Sequence, residues 1–330
     1  MDIMIISRKI SLVLAGLWVM AVMFSWGCEA PRNNPLDPLN PNRPYGTIAG
    51  IIQTESIPRQ PIAGAQVIFV PSGQYYFTDS RGAFSIDNVK PVDGWLFFEK
   101  EGFLSDSTFV SWGDSKHITV SIFLNAEPQL HSLSMYSVVR NKYPDIQDHE
   151  LVIRAFITDA ENDIDSVYVE NEQLNIKKFL RYNADSKNYE RTFLIYDFGL
   201  KSLKEIEGYV FQLIVKDKLG HLNNTGQDKL SRVILEEIEY VSPSDYLEVP
   251  PTPTLVWKEF DPGFRFTYNI QVFTDEYPSR LVWEQSQIPP DSTSYTVSSA
   301  LAAGDYYWAI WCIDDFQNRS RSKPASFSVR

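Results

Sequence analysis

Cysteine and histidine are scarce in this sequence, and their scarcity limits the chemistry that it can perform. The 330 residues include two cysteines and four histidines. Two cysteines cannot build the disulfide framework that stabilises many small secreted domains. The histidines lack the spacing of a zinc site, and the sequence has no Gly-x-Ser-x-Gly elbow, phosphate-binding loop or dinucleotide fingerprint. We therefore expect a protein that is not an enzyme.

Positive charge is also in short supply. Lys and Arg number 30 against 42 Asp and Glu, which gives a net charge of −12. Proteins that bind nucleic acids need a basic surface to neutralise phosphates, so we expect no nucleic-acid partner. Hydrophobic residues make up 44% of the chain, which is enough for packed cores and argues against wholesale disorder. A chain of this length has room for about two or three domains.

The first 27 residues have the order of an export signal. Arg8 and Lys9 precede an apolar run over residues 10–26, and a glycine and Cys28 follow it. A basic start, an apolar middle and a small residue at the cleavage point are typical of secretory signals. A transmembrane helix is the alternative, because the run is near the lower length limit of a membrane span.

The pair Gly27 and Cys28 resembles the lipobox of bacterial lipoproteins, in which the cysteine becomes the lipidated first residue. Ser25 and Trp26 differ from the usual leucine and small residue, so an ordinary signal peptide with an incidental cysteine is the alternative. Residues 28–44 are rich in proline and predict an extended tether. Their Asn-Pro-Leu-Asp-Pro motif resembles the start of lipoproteins of Gram-negative bacteria. The resemblance implies export to the cell envelope and anchoring in the outer-membrane lipid bilayer through lipidated Cys28.

From residue 45 onward the apolar residues follow a period of two, which is typical of β-strands with one buried face. The clearest examples are residues 118–124, 151–158, 266–273 and 306–313. Turn signals separate such segments about every ten residues. We predict an all-β chain of three tandem antiparallel β-sandwich domains, residues 45–126, 127–235 and 236–330. One short helix is predicted near residues 200–207.

The first predicted domain carries the most specific motifs, which lie in residues 63–70, 77–86 and 99–103. Within them, the Asp-Ser-Arg-Gly segment predicts a tight turn in which Asp79 accepts backbone hydrogen bonds and Gly82 adopts a positive φ. Together these motifs resemble the carboxypeptidase regulatory-like domain, a transthyretin-like sandwich. That resemblance implies an accessory module without a protease site.

The other two predicted domains resemble different sandwich families. Residues 157–167 and 214–223 contain acidic turns that resemble those of bacterial immunoglobulin-like and cadherin-like domains. Residues 253–257, 304–315 and 326–329 resemble segments of a fibronectin type III domain. Both resemblances imply further antiparallel sandwiches.

One acidic turn has the donor atoms of a metal site. Asp159, Glu161, Asp163 and Asp165 alternate along the chain and would offer hard oxygen ligands to calcium. The spacing lacks the glycine and the distal glutamate of an EF-hand. The alternative is a solvated turn that keeps a strand edge from pairing. Calcium is the one cofactor that the sequence suggests, and we expect no other.

Two further sets of residues invite a chemical interpretation. Cys312 alternates with Ile310 on the predicted inward face, which predicts a buried and inert thiol. The aromatic residues of the first domain could stack on sugar rings if they are flat and exposed, core or edge-strand packing being the alternative. They are Tyr75, Tyr76, Phe77, Trp95 and Trp112.

The features together predict a non-catalytic cell-envelope lipoprotein that acts as a spacer, an adhesion module or a protein-binding module. A carbohydrate-binding envelope protein is the main alternative, and an accessory subunit of an export or surface complex is a third. A row of aromatic rings pointing outward from one sheet would favour a glycan partner. A flat apolar patch between domains would favour a protein partner. Which residues bind the ligand is not determined by the sequence.

Overall fold

A computed structural model describes residues 44–330 and is built mostly of β-strands. The predicted all-β fold class is confirmed. These residues contain no α-helix, and the predicted short helix is replaced by the 3₁₀ helix Leu203–Ile206, which follows another at Ile195–Phe198. No helix in this part of the chain is long and apolar enough to cross a membrane. The predicted signal peptide, Cys28 and nearly all of the predicted tether lie outside the described residues.

The chain divides into two compact units after Asn125. In the first unit, two sheets face each other with the strand orders β4-β1-β7 and β3-β2-β5-β6. The pair β1 and β7 runs parallel, and the other strand pairs are antiparallel. The strands are β1 Gly46–Thr54, β2 Gln66–Phe69, β3 Gln74–Phe77, β4 Ala83–Val89, β5 Gly94–Glu99, β6 Asp106–Val110 and β7 His117–Leu124.

The core of the first unit is supplied by alternate residues of both sheets. Ile48 and Ile52 of β1 and Leu96 and Phe98 of β5 are fully buried in one cluster. Each such residue is followed by one that faces the other way, as the pleat of a strand requires. The residues between them on β5 are therefore free to form an outer surface.

The turn predicted before β4 is confirmed. Asp79 accepts hydrogen bonds at Oδ1 from the backbone N–H groups of Arg81, at 2.8 Å, and of Ala83, at 2.9 Å. These bonds are the first cause of a lowered pKa at the Asp79 carboxyl. Gly82 has φ +73°, and a Cβ there would lie 2.3 Å from the carbonyl oxygen of Ile52. Both the dihedral and the close approach require glycine.

The second unit, residues 126–330, holds the remaining strands. Its first half contains β8 Gln129–Lys142, β9 Ile146–Thr158, β10 Ile164–Asn171, β11 Ile176–Phe179, β12 Arg181–Asn183, β13 Asn188–Leu194, β14 Val210–Asp217 and β15 Leu222–Lys229. Its second half contains β16 Tyr240–Ser242, β17 Leu247–Val249, β18 Thr254–Trp257, β19 Phe266–Thr274, β20 Leu281–Ile288, β21 Ser294–Thr296, β22 Gly304–Asp314, β23 Arg319–Arg321 and β24 Ala325–Val329.

One ten-stranded sheet runs through both halves of the second unit. Its main path is β12-β13-β9-β8-β23-β22-β19-β20, with β24 pairing β22 and β17. A four-stranded sheet, β11-β10-β14-β15, covers the first half, and a three-stranded sheet, β16-β18-β21, covers the second. Two hydrophobic clusters lie against this sheet, one with buried residues from Met135 to Val233 and the other from Ile234 to Val329.

The two halves meet where β23 pairs parallel with β8, so that Arg319 lies opposite Val138. Asn318, which is fully buried, accepts a hydrogen bond from the N–H of Ser137 at 2.9 Å. Its amide nitrogen donates to Ser231 and to the carboxylate of Asp314. The predicted boundary after residue 235 therefore lies next to a joint that is continuous in sheet pairing and in hydrogen bonding. Whether each predicted domain folds alone remains a prediction.

Candidate functional site

The first unit exposes aromatic rings on the outer face of its four-stranded sheet. We call the set Tyr75, Phe77, Trp95, Phe97 and Phe109 the aromatic face. Each of these side chains is at least 40% exposed, and the two on β3 reach 64% and 63%. Large apolar side chains scattered singly are normal on a surface, but five on one sheet face call for an explanation.

The strand register explains how the aromatic face forms. Tyr75 of β3 and Phe97 of β5 are both directly opposite Ile68 of the central strand β2. Trp95 of β5 is directly opposite Phe109 of the edge strand β6. Residues that face each other across neighbouring strands share one side of a sheet. The rings therefore extend over the outer surface from β3 to β6.

Trp95 occupies a central position among the rings. Its ring centroid lies 5.4 Å from that of Phe109 in an edge-to-face arrangement and 6.5 Å from that of Phe97. Such contacts restrict the orientation of a ring without covering it. The tryptophan is 48% exposed, so it presents a large apolar surface that is already held in place.

Polar groups accompany the rings on the same side of the sheet. Gln66 of β2 lies directly opposite Phe77 on one side and Glu99 on the other. The amide of Gln66 and the exposed carboxylate of Glu99 can donate and accept hydrogen bonds next to the apolar rings. Flat apolar surface beside a few hydrogen-bonding groups is the arrangement that suits a sugar ring.

The structure corrects part of the aromatic set predicted from the sequence. Trp112 is 3% exposed and donates its indole N–H to the carbonyl of Val92 at 3.0 Å, so it belongs to the core. Tyr76 lies opposite Val67 on the inner face and packs against the core. Both fail as sugar-stacking residues: the pleat of β3 turns Tyr76 inward, and the hydrogen bond to Val92 holds Trp112 in the core.

Sequence reasoning also missed two members of the aromatic face. Phe97 follows Trp95 at a spacing of two residues, so the period of two could have identified it. Phe109 could not be found in this way, because only the pairing of β5 with β6 brings it beside Trp95.

The four acids proposed to bind calcium are only partly brought together. Asp159 accepts a hydrogen bond from the backbone N–H of Asp163 at 3.1 Å. Glu161 accepts one from the N–H of Ala126 at 2.6 Å. Asp165 lies on β10 and forms a salt bridge of 3.4 Å with Lys216. In residues 44–330, no group of three or more His, Cys, Asp or Glu side chains is placed to hold a metal ion. Calcium binding remains a prediction.

Asp163 differs from the other three acids because it is buried. It is 6% exposed, and its Oδ2 atom has no hydrogen-bond partner. Burial is the main cause that raises its pKa to about 6, and the neighbouring carboxylate of Asp159 adds to it. At neutral pH this carboxyl is therefore mostly ionised at a cost to the folded state.

Cys312 lies on the inward side of β22, as its alternation with Ile310 predicts. It is fully buried in the cluster that also contains Tyr268 and Trp308. Burial raises the pKa of its thiol, which keeps the sulfur protonated and poorly nucleophilic.

Comparison with known proteins does not assign this chain to a family. No family model matches the sequence, and no curated protein matches it. Among solved structures, it is similar to the major pilin subunit of Bacillus cereus at 11% identity and a TM-score of 0.27, over 86% of this chain and 95% of the other.

Two more solved structures show a similar degree of likeness. The fibronectin(III)-like modules of Clostridium thermocellum CbhA match at 11% identity and a TM-score of 0.28, over 61% of this chain and 92% of the other. The FN1-FN3 domains of chicken CNTN1 match at 10% identity and a TM-score of 0.31, over 87% and 99%. Similarity at this level does not indicate a ligand or partner for this chain.

Proposed function

We propose that this protein is a non-catalytic, lipid-anchored glycan-binding module of the cell envelope. The observation that carries the proposal is the aromatic face, on which five exposed rings share one side of a sheet. The rings would stack on the apolar faces of sugar units, and Gln66 and Glu99 would hydrogen-bond to hydroxyl groups. Cys28 would attach the chain to the bilayer, as its resemblance to a lipobox implies.

A neutral glycan fits the aromatic face better than a charged one. The aromatic side chains carry no charge, and the flanking residue Glu99 is acidic. An anionic polymer would therefore meet repulsion and no compensating cation among these residues. Neutral sugars need only ring faces and hydroxyl partners, both of which the surface offers.

A second candidate function is a spacer or adhesion module that binds another protein. One observation favours it, namely the sheet that continues through β8 and β23 and couples the two halves of the second unit. A coupled pair of sandwiches resists bending at the joint, which suits a spacer. This candidate does not account for the exposed aromatic rings of the first unit.

The first experiment measures glycan binding by the full chain purified in detergent. A panel of neutral polysaccharides is screened, and the affinity for the best ligand is compared between wild type and Trp95→Ala. We expect the substitution to weaken binding about tenfold, because losing one stacked ring costs roughly 1 kcal/mol or more. Binding should change little with salt, since no charge pair is involved.

The matched control is Phe316→Ala, which removes an aromatic ring of the second unit that is at least as exposed as Trp95. Phe316 is 61% exposed, so neither substitution should shift the melting temperature by more than a few degrees. The control should bind glycan like wild type. Failure of every neutral glycan to bind, or unchanged affinity in Trp95→Ala, would contradict the proposal. A protein captured by wild type and lost in Trp95→Ala would assign the aromatic face to the second candidate function.

A further inference from the structure

Arginine side chains cluster on the outer face of the ten-stranded sheet in the second unit. We call Arg140, Arg319 and Arg321, together with the rings of Tyr136 and Trp311, the arginine face. The register places Arg321 of β23 directly opposite Arg140 of β8 on one side and Trp311 of β22 on the other. All five side chains therefore lie on the same side of the sheet.

The guanidinium groups pack against the aromatic rings. Those of Arg140 and Arg321 each lie 5.8 Å from the centre of the Trp311 ring. That of Arg319 lies 4.9 Å from the centre of the Tyr136 ring, which is 4% exposed. Cation–π contacts of this kind hold the planar groups in fixed orientations. Their stems also cover the apolar side chains of the outer face.

This arrangement is electrostatically unfavourable for the protein on its own. Arginines directly opposite each other on neighbouring strands repel. Arg140 has a partner in Glu150 at 2.6 Å. Arg319 and Arg321, by contrast, form no salt bridge with any residue between 44 and 330, and the Nε atom of Arg321 is buried without a hydrogen-bond partner. Burial lowers the pKa of both guanidinium groups, and the charges of neighbouring arginines add to it, Arg154 and Arg140 for Arg319 and Arg140 for Arg321.

Charged residues continue along the sheet beyond these three arginines. Arg154 of β9, which forms a salt bridge of 2.9 Å with Glu190, lies on the same face, because its neighbour across the strand pair, Ser134, alternates with Tyr136 on β8. Next to it, Arg181 and Tyr182 help to line an open depression of about 510 Å³. Arginines that are spread over several strands suit a polymer with repeated negative charges better than a single small anion.

The sheet pairing indicates which kind of polymer fits. The strands β8, β23 and β22 are paired on both sides, so their backbone groups are already used in ladders. An extended acidic peptide therefore cannot bind on this face by adding a strand to the sheet, which is the usual source of its backbone hydrogen bonds. A polysaccharide does not depend on strand pairing, and its carboxylates can meet the guanidinium forks while its hydroxyl groups stay in water.

We propose that the arginine face binds the carboxylate groups of an acidic, uronate-type polysaccharide. Arg319 and Arg321 supply guanidinium groups that form no salt bridge within residues 44–330, and the rings of Tyr136 and Trp311 keep them oriented. The Nε of Arg319 donates to the carbonyl of Gln317 at 3.2 Å, so its terminal nitrogens would meet the ligand. The inference is independent of the proposed function, because it concerns a different unit and rests on charge instead of ring stacking. Its predicted salt dependence also distinguishes the two, since ion pairing weakens as ionic strength rises.

The test is titration of the full chain in detergent with polygalacturonate at low and high ionic strength. We expect binding to polygalacturonate, no comparable binding to uncharged dextran, and weaker binding at high salt. The double substitution Arg319→Gln with Arg321→Gln should lower the affinity at least about tenfold, since it removes two charge-assisted contacts. It should shift the melting temperature by no more than a few degrees, because the loss of the cation–π contacts is offset by the removal of like-charge repulsion.

The matched control is Arg265→Gln with Arg280→Gln, which removes the same charge from exposed arginines of the second unit. These arginines already pair with Asp315 and Glu276, and the control should bind within about twofold of wild type. The charge-preserving pair Arg319→Lys with Arg321→Lys should also weaken binding, because lysine lacks the fork.

Four outcomes would overturn the proposal. The first three are the absence of polygalacturonate binding, equal weakening by the control pair, and wild-type affinity in the lysine pair, which would reduce the effect to general charge attraction. Tighter binding of polyglutamate than of polygalacturonate would also overturn it, by assigning the arginine face to an acidic protein.

Discussion

A single buried carboxyl group makes the stability of the second unit depend on pH. Burial, together with the neighbouring carboxyls of Asp159, Glu161 and Asp217, raises the pKa of Asp163 in the folded chain to about 6 from its ordinary value of 3.8. The folded state therefore holds this proton more tightly than the unfolded chain does. The contribution of Asp163 to the free energy of unfolding is largest below about pH 4 and is lost as the pH rises through 6.

The substitution Asp163→Asn tests this dependence. It removes the charge but keeps the size of the side chain, so the free energy of unfolding should rise by roughly 1 kcal/mol at pH 7. The difference from wild type should shrink to nothing below about pH 3, where Asp163 is protonated in both states. Urea unfolding at several pH values measures it, and a pH-independent difference would contradict the assignment.

Calcium binding can be tested with the wild-type chain and the Asp163→Asn variant. Three of the four predicted ligands already have partners, Asp159 and Glu161 with backbone N–H groups and Asp165 with Lys216. We therefore expect the same melting temperature in excess calcium and in chelator. A rise with calcium in wild type that is absent in Asp163→Asn would instead establish the calcium site.

At the scale of secondary-structure elements, the short strand β23 has a structural role out of proportion to its three residues. It pairs antiparallel with β22 and parallel with β8, and it thereby joins two sandwiches into one sheet. The preceding residue, Asn318, adds buried hydrogen bonds to Ser137, Ser231 and Asp314. The pairing of β8 with β23 thus depends on backbone ladders and on buried polar side chains, among them Asn318 and Asn141, whose amide donates to the carbonyl of Arg321 at 2.8 Å.

The substitution Asn318→Ala should weaken this joint. It leaves the N–H of Ser137 buried without its side-chain partner, which costs about 1–3 kcal/mol of unfolding free energy. Asn224→Ala is the control, because Asn224 is exposed and its bond to Gln212 contributes little. Chemical denaturation measures both effects. A loss for Asn318→Ala no larger than that of the control would show that the joint does not depend on this side chain.

At the scale of the whole molecule, the predicted lipid anchor would determine in which compartment the aromatic face and the arginine face meet their ligands. The order of basic residues, apolar run, glycine and cysteine at the start of the chain predicts lipidation of Cys28. We expect the wild-type chain to partition into detergent and Cys28→Ala to be released or left unprocessed. Membrane fractionation and mass spectrometry of the mature N-terminus measure this. A wild-type chain found free in the cytoplasm would contradict the predicted export.

Much of the all-β architecture was predictable because buried and exposed residues alternate along a strand, so the sequence shows which residues share a face. The alternation of residues 306–313 predicted that Cys312 faces inward, and the structure buries it completely. The turn at Asp79 and Gly82 was predictable for a related reason, since its hydrogen bonds and its positive φ involve residues close together in the chain. The orientation of the Trp112 side chain was not predictable, because this residue lies outside a strand and its hydrogen-bond partner Val92 is distant in sequence.

The sequence by itself determined the all-β fold class, the strand faces and the local turn, since each depends on residues only a few positions apart. Only the tertiary structure decided that Phe109 joins the aromatic face and that Arg140 lies beside Arg321. The neighbours of those two arginines, Asn141 and Ser320, are 179 positions apart, yet their side chains are in hydrogen-bond contact. The two-residue alternation of a strand and the chemistry of a turn determine which way a side chain points. Which strands pair depends on the packing of whole sheets, and a local sequence pattern does not contain that information.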